Sequence, residues 1–177
     1  MGYQKNLRYL YEQYAKQARM KYKMANPYFP EDEIDWLLKE FRNILQGDAP
    51  LSMGYRVKEF EGAFSSYIGA KYAVGTNSCT AALELALQSI GVQNGDEVII
   101  PAETFIATGS AVVREGATPV FCDIDPETFC ISLRELKNKI TEKTKAVIIV
   151  HMAGMISPDA LIIKEFCQKL GIILIED

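Results

Sequence analysis

Two kinds of hydrophobic pattern divide the chain near Lys71. Before it, apolar residues recur at helical spacing. Tyr3, Leu7, Leu10, Tyr11 and Tyr14 mark a helix over residues 4–24, broken by Asn26-Pro27-Tyr28-Phe29-Pro30. Glu31 to Leu45 reads as a second amphipathic helix, with Ile34, Leu37, Leu38, Phe41 and Leu45 on one face and acidic residues in its first turn. Gly47-Asp48-Ala49-Pro50 ends it. Val57 to Ile68 reads as a third, with Val57, Phe60, Phe64 and Tyr67 directed inward and Gly69 as its stop.

Beyond Lys71, short apolar runs alternate with helical segments. The runs are Ala73–Val74, Glu97–Pro101, Pro119–Ile124, Ala146–His151 and Ile172–Glu176. The helices between them are Thr80–Ile90, Phe105–Glu115, Ser132–Ile140 and Pro158–Leu170, with Gly91, Gly116 and Gly171 as their stops. VIIP, AVIIV and IILI are continuous rather than alternating, which predicts strands buried on both faces. The fold class that follows is α/β, a mostly parallel sheet with helices on each side. The expected organisation is an N-terminal helical arm over residues 1–26 and one domain over 27–177.

In an open α/β sheet, ligands gather beyond the carboxyl ends of the strands. The residues to inspect are therefore Gly75–Thr80, Ala102–Thr108, Asp123–Asp125, His151–Met155 and Asp177. The stretch Ala73–Leu87, AVGTNSCTAALELAL, places Thr76, Asn77, Ser78, Cys79 and Thr80 at a helix start. Unpaired N–H groups and the helix dipole there favour a phosphate. A plain N-cap is the other reading, and one of Ser78 or Thr80 would suffice for it. Phe105 opens a helix, where its ring either stacks on a flat cofactor or packs in the core. Asp123 and Asp125 lie in a good turn sequence, Asp125-Pro126-Glu127-Thr128, and no further oxygen ligands point to a metal. His151 either faces the site or is a satisfied core histidine. Asp177 ends a buried strand, where a carboxylate needs a partner; a protonated pyridine nitrogen or a helix N-terminus would serve. A phosphate cradle, a stacking ring and a buried carboxylate together suggest pyridoxal phosphate, which further requires a lysine.

Composition narrows the classes. The hydrophobic fraction is 49% and the charged fraction 24%, ordinary for a globular protein. No apolar run is long enough to span a bilayer, and the first residues carry no signal-peptide pattern. The four cysteines have no paired or metal-type spacing, which fits a reducing cytoplasm, and Cys122 and Cys167 fall in apolar patterns as small core residues. His151 is the single histidine, so a histidine metal site is not expected. Net charge is −4 overall, yet residues 1–24 hold six basic residues and one acidic. That basic arm is read as packing on its own domain or a second subunit, with no nucleic acid or membrane as partner.

The segments GYRVKEFE (54–61), AVGTNSCTAALELAL (73–87), NGDEVIIPAETFIAT (94–108), GATPVFCDIDPETFCIS (116–132), ITEKTKAVIIVHMAG (140–154) and IED (175–177) together resemble the DegT/DnrJ/StrS family of PLP-dependent sugar aminotransferases. The resemblance covers residues 27–177. It implies the type I aminotransferase large domain, incomplete at the C-terminus. It assigns Ser78, Cys79 and Thr80 to the phosphate-binding turn, Phe105 to the face of the pyridine ring and Asp177 to the ring nitrogen. Many members carry glycine at the Cys79 position. The Schiff-base lysine of the family comes downstream of the aspartate, so no catalytic residue is expected within this chain. Lys143 and Lys145 precede a strand, and Lys164 and Lys169 lie on a helix. The expected function is the N-terminal part of an enzyme that moves an amino group from glutamate to a nucleotide-linked keto-sugar, homodimeric when whole. The alternatives are a non-catalytic paralogue or PLP-binding module, or a PLP-dependent sugar dehydratase.

Overall fold

The computed structural model of the protein describes residues 27–48, 50–52 and 54–177. The helix expected over residues 4–24 and the arm over 1–26 lie outside the described residues. The chain divides into two compact units, Met1–Tyr72 and Ala73–Asp177.

In the first unit, α1 (Glu31–Asn43) runs into a π-helical turn (Ile44–Asp48), and α2 (Tyr55–Ile68) follows. Gly69 closes α2 in the left-handed conformation at φ 69°, which glycine adopts without a Cβ penalty. Arg56 ties the two helices together: its guanidinium pairs with Glu40 and Glu59 and lies 5.6 Å from the Trp36 ring centroid. The apolar face of each helix forms as the periodicity predicts, but among the described residues nothing buries it. Neither helix buries a residue, and Phe60, Phe64 and the 89% exposed Tyr67 of α2 stand open rather than inward. Helical period reports which residues share a face; it does not report what packs on that face.

The second unit holds α3 (Cys79–Ser89), β1 (Glu97–Pro101), α4 (Ile106–Arg114), β2 (Thr118–Cys122), α5 (Leu133–Lys139), β3 (Thr144–Ile149), a short 3-10 turn (Met152–Gly154), α6 (Ala160–Leu170) and β4 (Ile173–Glu176). The four strands form one parallel sheet in the order β2-β1-β3-β4. Ala73–Val74 is not one of them. Val74 is exposed, and this two-residue run has no strand partner among the described residues, so its apolarity alone does not make a ladder.

The continuous apolar runs of β1 and β3 do what double-sided burial demands; IILI does not, because β4 is an edge strand whose Ile173 is exposed and whose Leu174 and Ile175 are only half-buried. Alternate residues of one strand serve two separate cores. Val98 and Ile100 of β1 join Ala146 and Ile148 of β3 against Leu83 and Leu87 of α3 and Ala111 and Val112 of α4. Ile99, Val147 and Ile149 point the other way, against Leu136 of α5 and Ile163 and Cys167 of α6. The connection from β1 to β2 runs in one direction along the sheet; those from β2 to β3 and β3 to β4 run in the other. Right-handed crossovers then put α4 on one face and α5 and α6 on the opposite face, as the two cores record. The reversal of direction leaves a crevice between the carboxyl ends of β1 and β3.

Ile148 has no exposed surface and lies at the centre of the first core. Ile148→Ala is expected to cost about 2–5 kcal/mol of stability, the usual range for truncating a buried isoleucine. Urea denaturation measures it; a loss below about 0.5 kcal/mol, the scale of a surface substitution, would mean this core is not closed around β3.

Candidate cofactor site

The β3–β4 pairing continues beyond the strands themselves. The Asp177 N–H donates to the Ile149 carbonyl at 2.8 Å, and the Asp177 carbonyl accepts from the His151 N–H at 3.1 Å. Asp177 is thereby fixed at the carboxyl edge of the sheet, next to the crevice. Its side chain is held from two directions. The Thr108 hydroxyl donates to Asp177 Oδ2 at 2.8 Å, and the Cys79 thiol donates to Oδ1 at 3.5 Å. Thr108 lies in α4 and is fully buried; its Oγ1 stands 2.9 Å from Thr104 Oγ1 in the loop after β1. Cys79 is the first residue of α3. One carboxylate therefore joins the heads of two helices to the end of a strand.

The turn before α3 is built by its own hydroxyls. Ser78 is extended (φ −162°, ψ 157°), and its Oγ accepts from Ala81 N at 3.2 Å; the Thr76 hydroxyl donates to the Ser78 carbonyl at 2.9 Å. Ser78 is thus an N-cap, and the N–H groups of Cys79 and Thr80, the first two helical residues, have no acceptor inside the helix. Capping and anion binding are compatible here, because the cap uses only the Ala81 N–H. Loss of hydration, then the bond to Asp177 and its charge, push the Cys79 thiol above its ordinary pKa.

Phe105 precedes α4 as its N-cap residue and is 75% exposed, so it is free to cover a flat ligand and is not part of either core. His151 is satisfied within the fold, although half-buried and in neither core. Its Nδ1 accepts from the Ser157 N–H at 3.1 Å, which places the ring proton on Nε2, 3.0 Å from Glu176 Oε2. Both ring nitrogens are engaged within the fold. Asp125 Oδ1 accepts from the N–H groups of Glu127 and Thr128, which hold its carboxyl below the usual range, as a turn aspartate. A cleft of about 840 Å³ beside β2 is lined by Asp123 and Asp125 but by neither Cys79 nor Asp177.

Three chemistries meet at this edge. A carboxylate braced by two donors pairs with a cation. Uncapped helix N–H groups bind an anion. An exposed phenyl ring covers an aromatic face. A ring carrying a protonated nitrogen and a phosphate fits that donor and acceptor set. Sequence reasoning named Ser78, Cys79, Thr80, Phe105 and Asp177, but missed Thr104 and Thr108. Their four-residue spacing across the start of a helix is too common to single them out.

Comparison with known proteins agrees. The profile of the DegT/DnrJ/EryC1/StrS aminotransferase family matches residues 32–177. The chain belongs to that family. It is 44% identical over 126 residues to GDP-perosamine synthase of Caulobacter vibrioides, covering 71% of this chain and 34% of that protein. It is 42% identical over 120 residues to L-glutamine:2-deoxy-scyllo-inosose aminotransferase of Streptomyces fradiae, covering 68% and 28%. The solved structure of NtdA from Bacillus subtilis, with bound cofactor PMP, superposes with a TM-score of 0.77 at 32% identity, covering 88% of this chain and 37% of that one. The chain thus spans about a third of the length of the curated relatives it matches. Its fold is that of the PLP-dependent aminotransferases, and pyridoxal phosphate is the cofactor of this aminotransferase family.

The Cys79 thiol offers a direct probe of the Asp177 contact. A raised pKa leaves less thiolate near pH 8, and both the hydrogen bond and the charge of Asp177 act in that direction. Asp177→Asn is expected to raise the iodoacetamide alkylation rate of Cys79 several-fold at pH 8. Cys122, buried and pushed up to about 11, stays unlabelled in the native protein. Peptide mass mapping after timed alkylation reads both; an unchanged Cys79 rate would break the link between thiol and carboxylate.

Proposed function

We propose that the whole protein is a PLP-dependent aminotransferase that moves an amino group from glutamate to a nucleotide-linked keto-sugar. On this reading the present chain supplies the N-terminal part of its cofactor domain. The observation that carries it is the Asp177 carboxylate, braced by Thr108 and Cys79 at the head of α3. Pyridoxal phosphate, when bound, supplies an electron sink for the carbon that gains or loses the amino group. Asp177 keeps the ring nitrogen protonated and anchored. The Cys79 and Thr80 N–H groups, with the Ser78 turn, take the phosphate. Phe105 covers one face of the ring and keeps water from it. The amine that links to the cofactor and moves the proton comes from a lysine outside the matched segments of this chain. The family supports amino transfer; the nucleotide-linked sugar is our reading from the name of the GDP-perosamine synthase, and the keto form and the glutamate donor are our reading alone, the donor set against the glutamine named for the Streptomyces relative. We further propose a cytoplasmic homodimer.

A second reading is a non-catalytic cofactor-binding protein. It rests on the placement of two lysines. Lys143 and Lys145 sit at the amino end of β3, the opposite edge of the sheet from Asp177.

The test uses the whole protein with pyridoxal phosphate, a GDP- or dTDP-linked keto-sugar and glutamate labelled with 15N at its amino group. Mass spectrometry is expected to find labelled amino-sugar nucleotide and stoichiometric 2-oxoglutarate. Asp177→Asn is expected to slow the transfer by about 10²–10³-fold, the usual scale for removing one electrostatic partner at a reacting centre. Label entering only from glutamine would overturn the donor assignment. Reversible cofactor binding with no covalent adduct after borohydride, and no transfer, would establish the non-catalytic reading instead.

A further inference from the structure

The hydroxyl of Thr108 is an unusual expense of burial. A threonine side chain with no exposed surface sits at the head of a helix whose other buried residues, Ala111 and Val112, are apolar. A buried hydroxyl is tolerated only when its hydrogen-bonding capacity is met. Here it is met in both roles, in one fixed order. A carboxylate accepts and does not donate, so the single Thr108 hydroxyl proton goes to Asp177 Oδ2 at 2.8 Å. The 2.9 Å bond between Thr104 and Thr108 must then be donated by Thr104. The result is a directed chain, from Thr104 Oγ1 to Thr108 Oγ1 to Asp177 Oδ2. Each member polarises the next, and the last bond is assisted by the carboxylate charge.

We propose that Thr108 is the positioning residue for the Asp177 carboxylate, and that Thr104 sets the direction of the Thr108 hydroxyl. This inference rests on the reading of Asp177 as the partner of a protonated ring nitrogen. Thr108 fixes Oδ2 from the α4 side while Cys79 holds Oδ1 from the α3 side. The carboxylate is thereby kept from turning about its own axis, and the lone pairs these donors leave free face a ligand in one orientation. Thr104 also ties this orientation to the loop that carries Phe105, its neighbour in sequence. The backbone reinforces the link, because the Thr108 N–H donates to the Phe105 carbonyl at 3.1 Å. The residue that covers the ring and the residue that holds its nitrogen are therefore placed by one short segment, 104–108.

The experiment uses the whole protein loaded with pyridoxamine phosphate labelled with 15N in its ring. Two quantities are read: the ring nitrogen chemical shift, which reports its protonation, and the dissociation constant of the cofactor. Thr108→Val keeps the shape and removes the hydroxyl. It is expected to move the 15N signal toward the unprotonated value and to weaken binding about tenfold, the lower end of what outer partners of a ligating group typically cost. Thr108→Ser keeps the donor and is expected to restore both. Thr108→Val combined with Asp177→Asn is expected to weaken binding no more than Asp177→Asn alone, because the two act through one group. If Thr108→Val leaves the signal at its wild-type position while Asp177→Asn moves it, the positioning role is wrong and the reading of Asp177 stands. If Asp177→Asn leaves it in place, both fail. If Thr108→Ser behaves as Thr108→Val, the residue acts by packing, and the proposal is overturned. Should Thr108→Val not fold, Thr104→Val decides: it removes the donor to Thr108 and is expected to move the signal in the same direction by a smaller amount, and an unchanged signal overturns the proposal.

Discussion

A half-buried carboxylate at the end of a strand needs hydrogen-bond donors to replace the water it has lost. Asp177 meets that requirement by recruiting groups from two helices on the same side of the sheet, Cys79 from α3 and Thr108 from α4. These helices pack together over Val98, Ile100 and Ile148 in one core. The apolar contacts bring the helix heads together, and the polar contacts at their tips define what that convergence is for. Fold and site are therefore one set of constraints, with the strand register setting where the carboxylate emerges and the helix packing setting what it meets.

Direction along the sheet matters as much as register. With β1 and β3 adjacent and the chain leaving them toward opposite edges, their following loops part and open the crevice. The loop after β1 brings Thr104 and Phe105 to this edge, and the extension of β3 brings His151 beside Asp177. His151 contributes through the scaffold, its ring spanning the Ser157 N–H and the Glu176 carboxylate. An imidazole so engaged stiffens the segment between β3 and α6 and leaves ligand chemistry to its neighbours.

Much of this was legible in the sequence. Continuous apolar runs identified β1, β3 and β4, and the two-sided burial of β1 and β3, because a strand covered on both faces has no polar position to spare; β4 shares the pattern but lies at the open edge of the sheet. The stretches beyond the strand ends span every member of the Asp177 cluster, although nothing in them singles out Thr104 or Thr108. What stayed hidden has physical reasons. Ala73–Val74 reads as a strand from composition, but a ladder requires a partner, and a partner is a long-range fact. The helices of the first unit show clear apolar faces, yet periodicity carries no information about what covers them. Thr108 carries no distinguishing signal in the sequence, where a threonine near a helix start is commonplace. Only the 2.8 Å approach of a carboxylate 69 residues later distinguishes it.

That separation has a kinetic meaning. Thr108 and Cys79 meet Asp177 across 69 and 98 residues of chain, among the longest spans available in the second unit. Contacts between such distant segments form after the local ones, since the entropy of closing a long loop precedes any gain from it. The helices and the β1–β2 pair involve near neighbours in sequence. The Asp177 corner requires the whole of β3, α6 and β4 to be in place. During synthesis from the N-terminus, the hydroxyl and thiol emerge first and wait for their acceptor. The Asp177 corner is therefore among the later contacts of this unit to form, and a ligand bound there selects for chains in which β3, α6 and β4 are already docked.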